Sequence, residues 1–187
     1  IEYQPLGMDG LTRHTISVYL IEPSIWSDSV YAIALSDFND KIVPFKIERI
    51  KTAVLSGEDF DIPADFDDQK LLKHAWGIWV GDKEPVTVKL RFNKDATRRV
   101  KESIWHPLET VTDTEDGGCL WSAEVAEWRE MLPWVRGWGA DCEVLEPEGL
   151  KNSLKLEVQK LAQLYNIMDS SSKNMGSSFG ERILLLW

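Results

Sequence analysis

Short stretches in which apolar and polar residues alternate fill the first third of the chain. Three of them, residues 15–21, 30–35 and 42–50, predict β-strands separated by turn-forming residues. Residues 51–55 are expected to extend the third strand. Several short strands joined by tight turns are typical of a small β-barrel. The residues expected to share one face are Ile16, Val18 and Leu20 in the first strand and Val43, Phe45 and Ile47 in the third.

The next segment, residues 58–68, is acidic, contains Pro63 and is interpreted as a connector. Asp67 or Asp68 can cap a short helix that continues through Leu71, Leu72 and Ala75.

A regular order of elements follows the connector. The pattern predicts a strand, a helix with Ala96 and Val100 facing inward, two strands joined by a hairpin turn, a second helix and a last strand. The order β-α-β-β-α-β is that of a ferredoxin-like unit. The predicted ranges are 86–92, 95–103, 108–112, 120–126, 127–138 and 142–145, with the turn at 115–118.

Residues 150–166 predict a C-terminal helix with one apolar stripe, formed by Leu154, Val158, Leu161 and Tyr165. Residues 169–180 are expected to form a loose tail, and residues 182–187 are apolar enough to add a strand. The predicted fold class is therefore α+β: an Sm-like or SH3-like barrel at 1–57, a linker with a short helix at 58–84, a ferredoxin-like domain at 85–150, and a helix with a flexible tail at 151–187.

Composition narrows the functional classes. The chain has 187 residues, nine of them Trp, and a formal net charge of −10, which argues against non-specific binding to nucleic acid. The charge is uneven, because basic residues concentrate at 41–51 and 85–101. The first residue is Ile1, so a preceding segment is expected in a longer product.

Catalytic, metal and membrane patterns are weak. Residues 176–180 match G-x-S-x-G around Ser178, but a polar stretch precedes that serine where a nucleophile elbow needs a strand. Cys119 and Cys142 form no metal-binding motif, and His74 and His106 are interpreted as structural. No membrane-spanning run or signal segment is present. The chain is therefore predicted to be a cytoplasmic protein that is not an enzyme and needs no metal or cofactor.

Several local motifs in fixed order resemble one family, the WYL domain with its C-terminal extension. The barrel matches through residues 13–23, Val30-Tyr31-Ala32 and residues 44–50. The later region is similar through Trp105-His106-Pro107, residues 116–118, residues 134–139 and residues 144–147. The sequence departs from the family at the Trp-Tyr-Leu triplet itself, where only Tyr31 is retained.

The resemblance implies a bacterial transcription regulator whose winged helix-turn-helix lies outside this chain. Regulators of this family are generally dimers, some respond to single-stranded nucleic acid, and others lie beside CRISPR or phage-defence genes. Double-stranded promoter DNA would be bound only through the missing domain. The chain itself would sense an effector and self-associate.

Candidate ligand-binding residues follow from the predicted strand faces together with the resemblance. Arg49 is predicted to continue the face of the third strand, and a charge at that place needs a partner or an anionic ligand. His14 and Tyr31 are the next candidates, and Tyr19 and Lys46 are weaker ones. Basic and aromatic groups together can bind a phosphate and stack a base.

Two alternatives stay open at this point. Arg49 can instead pair with a nearby carboxylate, and Tyr31 can be a core residue with an exposed hydroxyl. At the level of function, the alternative to an effector sensor is a constitutive oligomerisation module without a small effector.

Overall fold

A computed structural model describes residues 1–79 and 84–167. The chain divides into two units, Ile1–Lys151 and Asn152–Trp187. The first unit combines antiparallel sheets with short helices, which confirms the α+β class. No helix among the described residues has the length and hydropathy needed to cross a bilayer.

The N-terminal part is built from two three-stranded antiparallel sheets. Alternating residues of both sheets meet in a small core of Tyr3, Ala32, Ala34 and Phe45. The strands are β1 (Glu2–Tyr3), β2 (Thr12–Arg13), β3 (Ile16–Pro23), β4 (Val30–Ser36), β5 (Lys41–Lys46) and β6 (Ile50–Thr52). In the first sheet the strand order is β2-β1-β6, and in the second it is β3-β4-β5.

The predicted single strand over residues 42–50 is wrong. β5 ends at Lys46, a 3₁₀ turn covers Ile47–Arg49, and β6 then joins the other sheet. The chain needs this turn because β5 and β6 pair with different strands. Alternation of apolar residues continues through the turn and therefore hides it. As a result, Arg49 lies on the turn and does not continue the face of Val43 and Phe45.

The predicted face of β3 is wrong after Val18, because the strand has a β-bulge at Tyr19. Val18 lies opposite Ala34, but Leu20 lies opposite Ile33 and Ile21 opposite Ala32. The extra residue shifts the alternation by one. Ile16 and Val18 therefore face the core as predicted, whereas Leu20 turns to the other side of the sheet and Ile21 replaces it.

The connector contains α1 (Asp68–Leu72), and the Asp67 carboxylate caps it by accepting a hydrogen bond from the Lys70 N–H at 3.0 Å. This agrees with the predicted cap. Trp76, near the end of the connector, is 1% exposed.

The following elements have the predicted order β-α-β-β-α-β. The four strands form one antiparallel sheet in the order β10-β7-β9-β8. Ala96 and Val100 are buried on the first helix, as expected. The elements are β7 (Val86–Phe92), α2 (Lys94–Lys101), β8 (Thr110–Asp113), β9 (Cys119–Val125), α3 (Leu132–Gly137) and β10 (Cys142–Glu146).

The predicted helix over residues 127–138 is divided. A 3₁₀ turn covers Trp128–Met131, and α3 begins immediately afterwards. Pro133, in the first turn of α3, cannot donate a backbone hydrogen bond and is favoured where a helix starts. The helix was predicted from the spacing of Trp128, Met131, Val135 and Trp138. The last three are buried, whereas Trp128 is only partly buried.

Aromatic side chains fill the core beneath this sheet. Trp76 contacts Trp121 and Trp134, with ring centroids 5.9 and 4.8 Å apart. Trp138 packs on Phe92 at 5.1 Å. The high Trp content therefore builds a core in this part of the chain.

His106 lies in the same core and stacks parallel to Trp76. Its Nδ1 accepts a hydrogen bond from the Leu108 N–H at 3.1 Å, which requires the neutral ring with its proton on Nε2. Burial lowers the pKa of His106 below 6.5, and the charge of His74 acts in the same direction, against smaller opposing effects of the Ala75 backbone and Glu109.

This lowered pKa predicts a pH-dependent stability. Below about pH 6.5 the unfolded chain binds a proton at His106 that the folded chain does not, so stability should fall as the pH decreases from there towards the folded pKa. Urea unfolding between pH 7.5 and pH 5 measures how the free energy of unfolding changes with pH across the unfolded pKa. His106→Asn keeps an acceptor for Leu108 and should flatten that slope; an unchanged slope would assign it to other groups.

The last element that the structure describes, α4 (Glu148–Leu164), has the buried Leu150 in its first turn. From Asn152 onward it belongs to the second unit. There the apolar side chains of Val158, Leu161 and Leu164 are exposed. The predicted tail at 169–180, the strand at 182–187 and Ser178 lie outside the described residues.

Candidate functional site

Three of the predicted ligand-binding residues lie together at one end of the β4–β5 pair. Tyr31 and Lys46 are direct cross-strand neighbours and therefore project from the same face of the sheet. Arg49 follows on the 3₁₀ turn, whose carbonyl at Arg49 accepts a hydrogen bond from the Gln4 N–H at 3.0 Å. Arg49 is partly buried, and its guanidinium makes no hydrogen bond or ion pair with any residue of 1–79 or 84–167.

The electrostatics of this cluster centre on Tyr31. Burial raises the pKa of the Tyr31 hydroxyl, the positive charge of Arg49 opposes that rise, and Glu130 and Glu48 add to it. For the Glu48 carboxyl, a hydrogen bond with its own backbone lowers the pKa, and the Ser29 side chain and the Lys46 charge assist. The Glu48 carboxylate is thus already hydrogen-bonded locally, whereas the N–H groups of the Arg49 guanidinium have no hydrogen-bond acceptor within the described residues.

His14 lies elsewhere, on the side of the N-terminal sheets that faces their common core. Its ring packs edge-on against Phe45, with centroids 5.2 Å apart. Its nitrogens lie 2.9 Å from the Thr12 hydroxyl and 3.4 Å from the Ser36 hydroxyl. Ser36 and Tyr31 alternate to opposite faces of β4, so His14 and Tyr31 do not share a face.

Tyr19 occupies the bulge of β3 and packs on the connector. Its ring stacks on Phe60 with centroids 6.1 Å apart and meets Phe66 edge-on at 5.1 Å. The structure therefore brings Arg49, Tyr31 and Lys46 together and places His14 and Tyr19 at two other positions. In a single strand over residues 42–50, alternation would place Lys46 on the face opposite Arg49, which is why Lys46 was a weaker candidate. The strand ends at Lys46, so alternation does not separate the two residues.

The second basic segment is largely compensated by carboxylates. Its side chains form surface ion pairs, which contribute little to stability and weaken with salt. Arg99 instead lies over the Trp138 ring, 4.6 Å from its centroid. The pairs are Lys89 with Glu146, Arg91 with Asp116, Arg98 with Glu102, and Lys101 with Asp113.

The sequence did not predict the interface between the N-terminal sheets and the following domain, which we call the joint and which is formed by Trp26, Trp76 and Glu130. Trp26, in the β3–β4 turn, stacks on Trp76 at 4.8 Å and donates its indole N–H to the Trp76 carbonyl at 2.8 Å. The Glu130 carboxylate accepts hydrogen bonds from the backbone N–H groups of Gly77, Ile78 and Trp79 at 3.1–3.2 Å. A large apolar residue in a turn, such as Trp26, is the available sequence signal for such a contact.

Metal and thiol chemistry find no site in the described residues. No group of three or more His, Cys, Asp or Glu side chains there is placed to hold a metal ion. Cys119 and Cys142 pair with Phe92 from opposite sides, so two strand spacings, roughly 9–10 Å, separate them, too far for a disulfide. Burial raises the pKa of Cys142 to about 12, which keeps it a thiol.

In a comparison with known protein families, residues 84–162 match the model of the WCX domain. This domain is the WYL-related C-terminal domain, so the match confirms the predicted relationship to WYL-type regulators. The match points to a transcription-regulator type of protein.

One solved structure is similar over 88% of this chain, the proteasome accessory factor B/C (PafBC) of Arthrobacter aurescens, with 17% sequence identity and a TM-score of 0.39. The chain spans 24% of the length of that protein. No curated protein matches the chain.

Proposed function

We propose that this chain is the effector-sensing region of a bacterial transcription regulator and that it binds an anionic ligand at Arg49. The observation that carries the proposal is the guanidinium of the partly buried Arg49, which has no carboxylate partner within the described residues and lies beside Tyr31 and Lys46. A guanidinium in this setting favours a phosphate or carboxylate. The ligand we favour is a single-stranded nucleic acid or a nucleotide, because Tyr31 supplies an aromatic face next to the cations.

The finer fold assignments belong to this proposal. Two small sheets around a common core, with a 3₁₀ turn between β5 and β6, support an Sm-like barrel. The antiparallel order β10-β7-β9-β8 supports a ferredoxin-like domain. In it β7 and β8, the strands of one split βαβ unit, lie on either side of β9, and β9 and β10, the strands of the other unit, lie on either side of β7. In this scheme the barrel holds the effector and the second domain supports it.

Effector binding would change the activity of a helix-turn-helix domain that lies outside this chain. The route we infer is the joint formed by Trp26, Trp76 and Glu130, since Glu130 interacts electrostatically with Tyr31 and also holds the connector. An anion bound at Arg49 would alter the field at Glu130 and so bias the connector. Because the chain has a net charge of −10, we expect no specific binding of double-stranded promoter DNA by this chain alone.

Replacing Arg49 tests the site directly. We expect Arg49→Ala to weaken binding of a fluorescent single-stranded oligonucleotide by roughly 10- to 150-fold, the loss of a charge-assisted contact of about 1.5–3 kcal/mol. Arg49→Lys should recover part of the affinity, because it keeps the charge and loses bidentate geometry. Fluorescence anisotropy at low salt measures all three proteins.

Arg99→Ala is the matched control, because that guanidinium is engaged by the Trp138 ring in the other domain. It should change oligonucleotide affinity less than twofold beyond the general effect of one charge. Equal affinities of wild type and Arg49→Ala would remove Arg49 from the site.

A constitutive oligomerisation module is the second candidate. The observation in its favour is the exposed apolar side chains on α4, including Val158, Leu161 and Leu164. Such a surface is more common at a homodimer interface than on a monomer. Both candidates propose a homodimer, and light scattering that shows a monomer at high concentration would contradict it; only the effector sensor requires a ligand that raises the unfolding temperature.

A further inference from the structure

An apolar groove of about 530 Å³ opens beside the N-terminal sheets, with Ile47 and Ile50 of the Arg49 turn in its lining. Its floor includes Ile16, Val18 and Ile50, which pack against the barrel core from outside. The volume lies in the range of small-molecule sites, which are mostly apolar with a few polar groups. None of the five residues predicted to bind the effector lines it.

The groove lies where the two sheets of the barrel meet without pairing. Within the described residues β3 pairs only with β4, and β6 pairs only with β1. The edges of β3 and β6 that face the groove therefore carry no ladder hydrogen bonds to each other. A gap between two sheet edges is thus left open above an apolar floor.

Large apolar side chains at the rim of the groove are exposed to solvent. Leu55 is 97% exposed and Val54 is 79% exposed. Ile21, which the Tyr19 bulge turns to this side, is half exposed as well. Apolar residues gathered around one concave surface indicate a binding site more strongly than scattered ones.

The α-ammonium of Ile1, which also lines the groove, donates a hydrogen bond to the His14 carbonyl at 2.7 Å. Lys51 has the only charged side chain among the lining residues. Its ammonium makes no hydrogen bond or ion pair with residues 1–79 or 84–167. The neighbouring Thr52 hydroxyl is engaged by the Glu2 carboxylate, so Lys51 is the polar group available to a ligand.

From these observations we propose a second binding site, which takes a small amphipathic carboxylate. The hydrocarbon body would lie along Ile16, Val18 and Ile50, and the carboxylate would pair with Lys51. The choice of an anion follows from the ammonium of Lys51, which is unpaired within the described residues, and the choice of a hydrocarbon body follows from the apolar floor and rim of the groove. This site is separate from the proposed nucleic-acid site and does not depend on it.

The test is calorimetric titration of the full chain with straight-chain carboxylates from hexanoate to dodecanoate. Each added methylene should tighten binding about fourfold until the chain outgrows the groove. Lys51→Gln should weaken decanoate binding roughly fivefold, as for a solvent-accessible ion pair, and leave decanol binding unchanged. Lys73→Gln, an exposed lysine on the connector, is the matched control and should bind decanoate like the wild type.

Ile21→Glu provides a second variant at a half-exposed position, and far-UV circular dichroism checks that it folds. It should abolish carboxylate binding, because it places a negative charge at the rim. No saturable binding of any carboxylate up to about 1 mM would overturn the proposal, as would equal affinities for decanoate and decyltrimethylammonium. Binding of an alternating valine–threonine peptide in place of the carboxylates would also overturn it and assign the groove to strand addition.

Discussion

Trp76→Ala is expected to destabilise the first unit by about 3–5 kcal/mol, because it removes a fully buried indole from the centre of the aromatic core. Trp76 contacts Trp121 and Trp134 on one side and carries Trp26 of the barrel on the other. A cavity there would loosen the core of the WCX domain and the joint at the same time. The loss is a large fraction of the stability of an ordinary domain.

Urea unfolding followed by far-UV circular dichroism measures this effect without relying on tryptophan fluorescence. Trp79→Ala is the matched control, since Trp79 lies three residues further along the same segment and is 54% exposed. It should cost well under about 1 kcal/mol, as exposed positions usually do. Similar losses for the two variants would show that Trp76 does not carry the packing assigned to it.

Glu130→Ala should produce the second large effect, about 2–3 kcal/mol, with a local signature in the connector. The carboxylate is the acceptor for three consecutive N–H groups, those of Gly77, Ile78 and Trp79. Its removal leaves these donors without their acceptor, and the partly buried ones lose most. Hydrogen exchange should therefore accelerate at residues 77–79 by more than the global loss of stability explains.

Glu130→Gln retains one carbonyl oxygen and should show an intermediate effect. Glu124→Ala, an exposed glutamate on β9, serves as the control and should leave exchange at residues 77–79 unchanged. If the three amides exchange at wild-type rates in Glu130→Ala, the connector is held by other contacts. The role of Glu130 in the joint would then be withdrawn.

The C-terminal domain was the more predictable part of the fold. Its strands are buried on one face, so the alternation along β7 and β9 indicates both their extent and their inward residues. Asn93, Pro133 and the glycines of the β8–β9 turn mark element boundaries through local chemistry. The continuous helix predicted over residues 127–138 was wrong because apolar spacing was preferred to the helix-start signal of Pro133.

The barrel was less predictable because its important features are shifts of one to three residues. The bulge at Tyr19 and the turn at Ile47–Arg49 both preserve apolar alternation while they change the face or the sheet. The position of Arg49 relative to Tyr31 depends on that turn. The groove beside Lys51 depends on the bulge, which brings Ile21 to its rim.

Contacts between distant segments could not be deduced from one sequence at all. Tyr31 and Lys46 become neighbours only through the β4–β5 register, and Trp26 meets Trp76 across fifty residues of chain. Residue type suggested that Arg49 and Tyr31 were candidates, but their grouping with Lys46, and the separation of His14 and Tyr19, are properties of the tertiary fold.

Hydrogen exchange of the full chain with and without a short single-stranded oligonucleotide at low salt tests the central claim most directly. The proposed site predicts protection of the β4–β5 pair around Tyr31 and Lys46 and of the turn Ile47–Arg49, with no such protection in Arg49→Ala. Higher salt should diminish the effect, because the contact is with phosphate. Protection confined to residues 84–162, or none at any salt concentration that keeps the protein folded, would contradict an anionic effector site at Arg49.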